Sequence, residues 1–204
     1  MKIIEKTCFI MGIDQRSGTN FLYRLLQCHP QCIGPGPIWE DNLLHHSHHL
    51  RKYVNSCFHS WRSWGVEDSI GGEELLLRHL GRGLESFLYL QLAEQDSHKE
   101  SHHKPSSQSS QRTLLLTKTP STQGLAHFFE LFPDSYLIII VRDGRSLVES
   151  GVRSFSWDYE KAAQRWARRA DEILDFLKLA NARRETHLLV RYEDIVADQY
   201  GAIS

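Results

Sequence analysis

The sequence predicts an α/β fold in which a mainly parallel central sheet is flanked by helices. Apolar segments of strand length alternate along the chain with longer segments of helical periodicity, and this alternation is typical of consecutive βα units. The segment YLIIIV at residues 136–141 is continuously apolar, as expected for a strand that is covered on both faces. The chain has 204 residues, so we expect one domain, 1–204, with a core of its own.

The individual elements follow from the same two patterns. Strands are predicted at residues 2–12, 114–117, 136–141 and 186–191. Helices are predicted at residues 18–28, 73–95, 121–132, 145–154 and 160–180. Apolar side chains recur with helical spacing in these longer segments, and Ser17 and Ser121 are expected to cap the first and third helices. Residues 97–111, SHKESHHKPSSQSSQ, are polar and of low complexity, which predicts a flexible surface insertion.

Residues 9–26, FIMGIDQRSGTNFLYRLL, predict an anion-binding loop between the first strand and the first helix. Backbone N–H groups of such a loop converge with a helix N-terminus, and this arrangement binds phosphate or sulfate. The loop is similar to a P-loop, but Thr19 follows Gly18 where the P-loop has lysine, and the cation Arg16 precedes the glycine. We therefore expect an anion other than an ordinary magnesium nucleoside triphosphate.

Three basic side chains each follow a predicted strand. Arg16, Lys118 and Arg142 come after the first, second and third strands respectively. Because ligands of open parallel sheets bind beyond the carboxyl ends of the strands, we expect these cations to converge on one edge of the sheet.

Four segments together resemble the sulfotransferase family. QRSGTNFL at 15–22, followed by CHP at 28–30, resembles the 5'-phosphosulfate loop, with the nearest similarity to the tyrosylprotein-sulfotransferase-like branch. VRDGRS at 141–146, with Ser150 downstream, resembles the 3'-phosphate motif. KTP at 118–120 and RYEDIV at 191–196 resemble two further elements of the family. The resemblance extends from residue 8 to about residue 198, and it implies a P-loop-like three-layer fold.

The resemblance implies transfer of a sulfuryl group from 3'-phosphoadenosine 5'-phosphosulfate (PAPS) to an acceptor hydroxyl or amine. Adenosine 3',5'-bisphosphate is then the product, and no metal is required. Arg16 and Lys118 are the expected stabilisers of the transferring group and the leaving phosphate. The other residues expected at the donor are Ser17, Gly18, Thr19, Asn20, Arg142, Ser150 and Tyr192. Arg142 and Ser150 would hold the 3'-phosphate.

An acceptor hydroxyl needs a general base. Glu40, in the segment GPGPIWED, is the best match to a glutamate that follows the HP element in the tyrosylprotein-sulfotransferase-like branch, and Asp41 is its rival. Other sulfotransferases use a histidine, and the chain has 12 histidines. His59 and His127 are candidates that no motif supports.

Two other functions fit parts of this pattern. A P-loop-type kinase of a nucleotide or small molecule would bind Mg-ATP, but the missing lysine after Gly18 argues against it. A non-catalytic nucleotide-binding homologue is the second alternative. It is suggested by the chain end at Ser204, soon after RYEDIV, whereas sulfotransferases continue with a segment that folds over the nucleotide. The domain is therefore expected to be short at its C-terminus.

Composition limits the partners. Lys+Arg of 24 against Asp+Glu of 25 gives a net charge of -1, so we expect neither nucleic acid nor an acidic membrane surface as a partner. No apolar run is long enough to span a bilayer, and the charged N-terminus does not read as a signal peptide, so a cytoplasmic location is expected. The acceptor, which could be a small molecule, a carbohydrate or a peptide, and the oligomeric state are left open.

Two charged or polar clusters are predicted to be solvated surfaces. The histidines at 45, 46, 48 and 49 lack the glutamate of a zinc-binding HExxH motif, so a polar face is favoured over a metal site. Arg165, Arg168 and Arg169 are expected to form an exposed helix face. The four cysteines show no CxxC pair, which predicts reduced thiols.

Overall fold

The computed structural model describes residues 3–34, 36–99, 112–183 and 185–198. The strands are β1 (Ile3–Gly12), β2 (Cys32–Ile33), β3 (Arg112–Thr119), β4 (Tyr136–Val141) and β5 (His187–Arg191). The α-helices are α1 (Thr19–Leu26), α2 (Ser47–Ser63), α3 (Gly72–Lys99), α4 (Phe128–Leu131), α5 (Gly144–Phe155), α6 (Tyr159–Arg183) and α7 (Tyr192–Ala197). Short 3₁₀ helices occupy Glu67–Ile70 and Leu125–His127.

The strands form one parallel sheet in the order β2-β3-β1-β4-β5. β1 lies in the middle, with β3 and β4 as its two neighbours. Ile10 of β1 pairs with Lys118 of β3, and Gly12 at the end of β1 pairs with Ile140 of β4. The three central strands therefore end at the same edge of the sheet. This confirms the predicted α/β fold with a parallel central sheet.

Helices cover both faces of this sheet. Alternate residues of a strand point to opposite faces, and β1 shows this alternation clearly. Phe9 and Met11 belong to one buried cluster, which also contains residues of α2 to α6. Cys8 and Ile10 belong to a second cluster with residues of α1 and α7. The molecule thus has the three layers expected of helices packed on a doubly covered sheet.

Most predicted elements are present, and three differences are informative. The single helix predicted at 121–132 is a turn, a 3₁₀ helix and the short α4, and Ser121 Oγ accepts a hydrogen bond from the Gln123 backbone within that turn. Ser17 does not cap α1, because Gly18 occupies the N-cap position without a side-chain cap. The helix α2 was not predicted. Its Val54 and Phe58, four residues apart on one face, are buried in the core, and this packing stabilises the helix.

Other sequence predictions have mixed outcomes. Of the predicted insertion at 97–111, residues 97–99 end α3, and residues 100–111 lie outside the described part of the chain. The four cysteines are free thiols in the structure. Within the described ranges, no helix combines the length and the apolar character that crossing a bilayer requires. The extent of the domain and the cytoplasmic location stay predictions.

Candidate functional site

The loop between β1 and α1 is held in a compact turn. The Ser17 backbone N–H donates to the Asp14 carbonyl oxygen over 3.2 Å. A Cβ atom on Gly12 would lie 2.2 Å from Ser17 Oγ, so only glycine allows the loop to fold back this closely on β1. The Ser17 side chain is fully buried, and its hydroxyl oxygen has no hydrogen-bond partner.

Gly18 marks the point where the loop becomes α1. Its φ of +100° lies in the left-handed region, which L side chains rarely adopt. A Cβ on Gly18 would also lie 2.3 Å from Cδ2 of Tyr192, so the tyrosine ring packs directly on the loop backbone. Thr19 is buried and Asn20 is exposed in the first turn of α1. No side chain caps this turn, so its amide groups face the site without a competing side-chain acceptor.

Two of the predicted cations meet at this loop. Arg142 donates from Nη1 to the Arg16 carbonyl oxygen over 2.9 Å. The Arg16 side chain donates from Nε to Ser150 Oγ, also over 2.9 Å. The Arg142 guanidinium lies over the Tyr192 ring, 4.7 Å from its centroid. Residues predicted from three separate motifs therefore form one cluster, which we call the arginine cluster: Arg16, Arg142, Ser150 and Tyr192.

The RYEDIV motif, which carries Tyr192, also contacts the VRDGRS motif at the start of α5. Glu193 accepts a hydrogen bond from the Asp143 backbone through Oε1 over 2.9 Å, while its Oε2 is buried without a partner. Asp143 caps α5 by accepting from the backbone N–H groups of Arg145 and Ser146. Hydrogen bonds from the Arg145 side chain and the Ser146 backbone lower the pKa of Asp143. Asp143 is therefore an ionised helix cap that sets the direction of α5.

Lys118 belongs to a second group, at the end of β3. Its residue is 1 % exposed. Nζ lies 3.4 Å from Oε1 of Glu40 and 4.4 Å from the centroid of the Trp39 ring. Burial lowers the pKa of Lys118, and the charge of Glu40 opposes this shift. The predicted catalytic pair of a cation and a carboxylate is thus in contact.

The rival carboxylate Asp41 has a different environment. Its Oδ2 accepts a hydrogen bond from Thr117 Oγ1 over 2.7 Å, and Oδ1 accepts from the Leu43 backbone N–H over 2.9 Å. Burial raises the pKa of Asp41, and the hydrogen bond from Thr117 is the main opposing effect. The Asp41 backbone N–H also donates to the Lys118 carbonyl oxygen over 3.1 Å. Asp41 therefore attaches the segment that carries Glu40 to β3.

A buried ion group lies behind the loop and was not predicted from the sequence. Asp14 accepts from Arg165 Nε through Oδ2 and pairs with Arg169 Nη1 through Oδ1, each over 2.6 Å. The prediction of an exposed arginine face was wrong for these two residues, because they pack under the loop, whereas the Arg168 side chain is 70 % exposed. The i, i+4 spacing of the two arginines on α6 and the acidic residue two positions after β1 were the available signals.

The histidine candidates lie in ordinary surroundings. His127 Nδ1 is 2.9 Å from Glu130 Oε2, and His59 is exposed on α2. Among the described residues, no three side chains of His, Cys, Asp or Glu come together as a metal site. The candidate site thus consists of the anion loop, the arginine cluster, and Lys118 with Glu40.

Comparison with known proteins identifies the class. The profile described as "Sulfotransferase family" matches residues 8–204. The chain therefore belongs to the sulfotransferase family, and this membership supports sulfotransfer as its general class of activity. Comparison with curated proteins found no match. The similarity to the tyrosylprotein-sulfotransferase-like branch stays a prediction.

Two solved structures share the fold. One is the sulfotransferase domain from the olefin synthase of Synechococcus PCC 7002, with 21% sequence identity and a TM-score of 0.53. The other is the sulfotransferase domain from the curacin biosynthetic pathway, with 21% identity and a TM-score of 0.54. In both comparisons the match covers 100% of this chain and 72% of the other chain. These similarities support the P-loop-like α/β architecture.

Proposed function

We propose that this protein transfers a sulfuryl group from PAPS to the hydroxyl group, or secondarily the amine, of an acceptor. The proposal rests mainly on the arginine cluster. In it, Arg142 donates a hydrogen bond to the Arg16 carbonyl oxygen, and the Arg16 side chain donates one to Ser150. Anion recognition by a planar guanidinium fork beside a hydroxyl suits a phosphate with several acceptor oxygens.

The chain's own polar atoms fit such a donor. Arg142 Nε and Ser17 Oγ are buried and have no hydrogen-bond partner. Buried polar atoms without a partner are uncommon in folded proteins, and phosphate or sulfate oxygens would satisfy both. The residues that would hold the donor are Arg16, Ser17, Gly18, Thr19, Asn20, Arg142, Ser150 and Tyr192. Tyr192 packs on Gly18 and under the Arg142 guanidinium, so its ring holds these two donor-binding residues next to each other.

When bound, PAPS supplies the sulfuryl group and a phosphate leaving group. Arg16 and Lys118 stabilise negative charge that develops during transfer, and the burial of Lys118 strengthens this effect because little water screens it. Glu40 accepts the proton of the acceptor hydroxyl. Both oxygens of Asp41 already accept hydrogen bonds from Thr117 and Leu43, which favours Glu40 as the base.

Calorimetric titration separates this function from the alternatives. The protein should bind adenosine 3',5'-bisphosphate more tightly than ATP with magnesium, and a preference for Mg-ATP would replace the proposal by the kinase alternative. Transfer is then measured with radiolabelled PAPS and a panel of phenols, sugars and peptides. Tight binding of the bisphosphate without sulfation of any acceptor would indicate the non-catalytic homologue.

A further inference from the structure

The anion loop is attached to α6 by a buried carboxylate. The Asp14 side chain is only 6% exposed, while those of its partners Arg165 and Arg169 are 30% and 17% exposed. Arg169 also donates from Nη1 to the Ile13 carbonyl oxygen over 3.2 Å. Two residues of the chain that enters the loop are therefore bonded to the same helix.

Asp14 also shapes the loop from within. Its Oδ1 accepts a hydrogen bond from the Gln15 backbone N–H over 2.8 Å, and its carbonyl oxygen accepts from the Ser17 backbone N–H over 3.2 Å. The intervening Arg16 has a φ of +71°, a left-handed conformation that persists in a non-glycine residue only where its surroundings enforce it. The bonds on either side of Arg16 provide this restraint.

The contact continues from Arg165 to the segment between α5 and α6. The Arg165 guanidinium lies 4.5 Å from the centroid of the Trp157 ring. Trp157 stacks on Phe155 with centroids 5.7 Å apart, and the Arg16 guanidinium carbon is 5.8 Å from the Phe155 ring. Asp14 and Arg16 are thus linked both through the backbone and through this series of side chains.

We propose that Asp14 is a positioning residue, which acts through Arg165 and Arg169 to hold residues 14–18 in the conformation that receives the anionic donor. The inference rests on the proposed function, because it assumes that the loop binds the donor. A carboxylate next to an anion site opposes binding by its charge. Its placement there therefore has to be explained by what it does for the backbone of the loop.

The charge of Asp14 and its proposed positioning role predict opposite effects of a substitution on ligand binding. Asp14→Asn removes a negative charge beside the loop, so electrostatics alone would tighten binding of adenosine 3',5'-bisphosphate. Loss of positioning instead weakens it, on the order of tenfold, because small displacements of binding groups have large effects. Calorimetry measures the dissociation constant. Asp175→Asn is the matched control, because it also removes one negative charge, but at a side chain of α6 that is 76% exposed. It should leave the dissociation constant of the bisphosphate unchanged within about twofold.

Amide hydrogen exchange of residues 13–18 in the ligand-free protein provides a second readout. Exchange should be faster in Asp14→Asn and in Arg165→Gln than in the wild type and in Asp175→Asn.

If Asp14→Asn binds the bisphosphate as well as the wild type or better, the inference is wrong, and the proposed function stands. If the wild type does not bind the bisphosphate, the proposed function fails, and the exchange rates decide whether Asp14 positions the loop. If Asp14→Asn does not fold, Arg165→Gln decides by exchange, and unchanged exchange overturns the inference.

Discussion

Arg142 donates a hydrogen bond from its guanidinium group to the backbone carbonyl oxygen of Arg16, across 126 positions of sequence and a distance of 2.9 Å. The two residues follow β1 and β4, which are neighbouring parallel strands. Arg142 therefore has two tasks in the proposed site. It restrains the loop backbone at Arg16, and it leaves its buried Nε free for an anionic ligand.

Arg142→Ala should discriminate between nucleotides. We expect binding of adenosine 3',5'-bisphosphate to weaken by about 2 kcal/mol, roughly 30-fold, because hydrogen bonds to a charged phosphate are lost. Adenosine 5'-phosphate should lose much less. Arg145→Ala is the matched control, since that side chain is 89% exposed and pairs with Asp143. Calorimetry measures both ligands, and equal weakening of the two would remove the assigned contact with the 3'-phosphate.

Glu40→Gln should affect turnover rather than donor binding. Loss of a general base typically lowers the rate by about 100-fold or more, whereas the dissociation constant of adenosine 3',5'-bisphosphate should change by less than about threefold. Glu130→Gln is a suitable control, because its side chain is 30% exposed and that of Glu40 is 32% exposed. A normal kcat in Glu40→Gln, measured with an acceptor that the wild type sulfates, would exclude Glu40 as the base.

Lys118 should set an alkaline limit to activity. Burial lowers its pKa below the ordinary value of 10.5, so the cation is present at lower pH and is lost as the pH rises through the lowered pKa. We therefore expect kcat/KM to fall at a pH below 10.5. Lys118→Arg retains a cation at all these pH values, so its alkaline decline should move upward. The same decline in both proteins would show that another group is responsible.

The pH dependence of the free energy of unfolding provides an independent test of the lowered pKa of Lys118. Between the lowered pKa and 10.5 the unfolded chain binds more protons at Lys118 than the folded protein does. The contribution of this group to the free energy of unfolding therefore increases with pH in that window. Lys118→Met lacks this term, so its stability relative to the wild type should fall as the pH rises. A relative stability that increases with pH would mean that the pKa is raised.

Gly18→Ala should be more harmful than the same change at another glycine with positive φ. Alanine at φ of +100° is strained, and its Cβ would meet the Tyr192 ring at 2.3 Å. We expect the free energy of unfolding to drop by about 2 kcal/mol or more. Gly65→Ala is the control, because Gly65 has a φ of +70° and nothing within 4 Å of its Cβ position, so only the strain of about 1 kcal/mol applies. Chemical denaturation measures both, and equal losses would argue against the contact with Tyr192.

The parts of the fold that were predicted from sequence have strong local signals. β4 was predicted with its observed bounds, because its six residues form a continuous apolar run in an interior strand of the sheet, where Leu137, Ile139 and Ile140 are buried. The ends of α5 and α6 lie within a few residues of the prediction. The helix α2 was not predicted, although Leu50, Val54, Phe58 and Trp61 recur with helical spacing and pack in or against the core.

In the candidate site, the residues that belong to short sequence motifs were predicted, whereas a contact between distant parts of the chain was not. The loop, Arg142 and Tyr192 belong to short motifs that can be recognised in a sequence, and the structure places them together. The pairing of Asp14 with Arg165 spans 151 positions. The i, i+4 spacing places Arg165 and Arg169 on one face of α6, but it does not show that this face packs against the loop. Such a pairing depends on how α6 packs against the sheet, which periodicity alone does not determine.

The location of the cations on the central strands has a thermodynamic consequence. Arg16, Lys118 and Arg142 lie at or just beyond the ends of β1, β3 and β4, and these three strands are hydrogen-bonded side by side. Separating Lys118 from Arg142 therefore requires the sheet to come apart, which is the cooperative, global transition rather than a local fluctuation. In a denaturant titration, the capacity to bind an anion and the native circular dichroism signal should then disappear together.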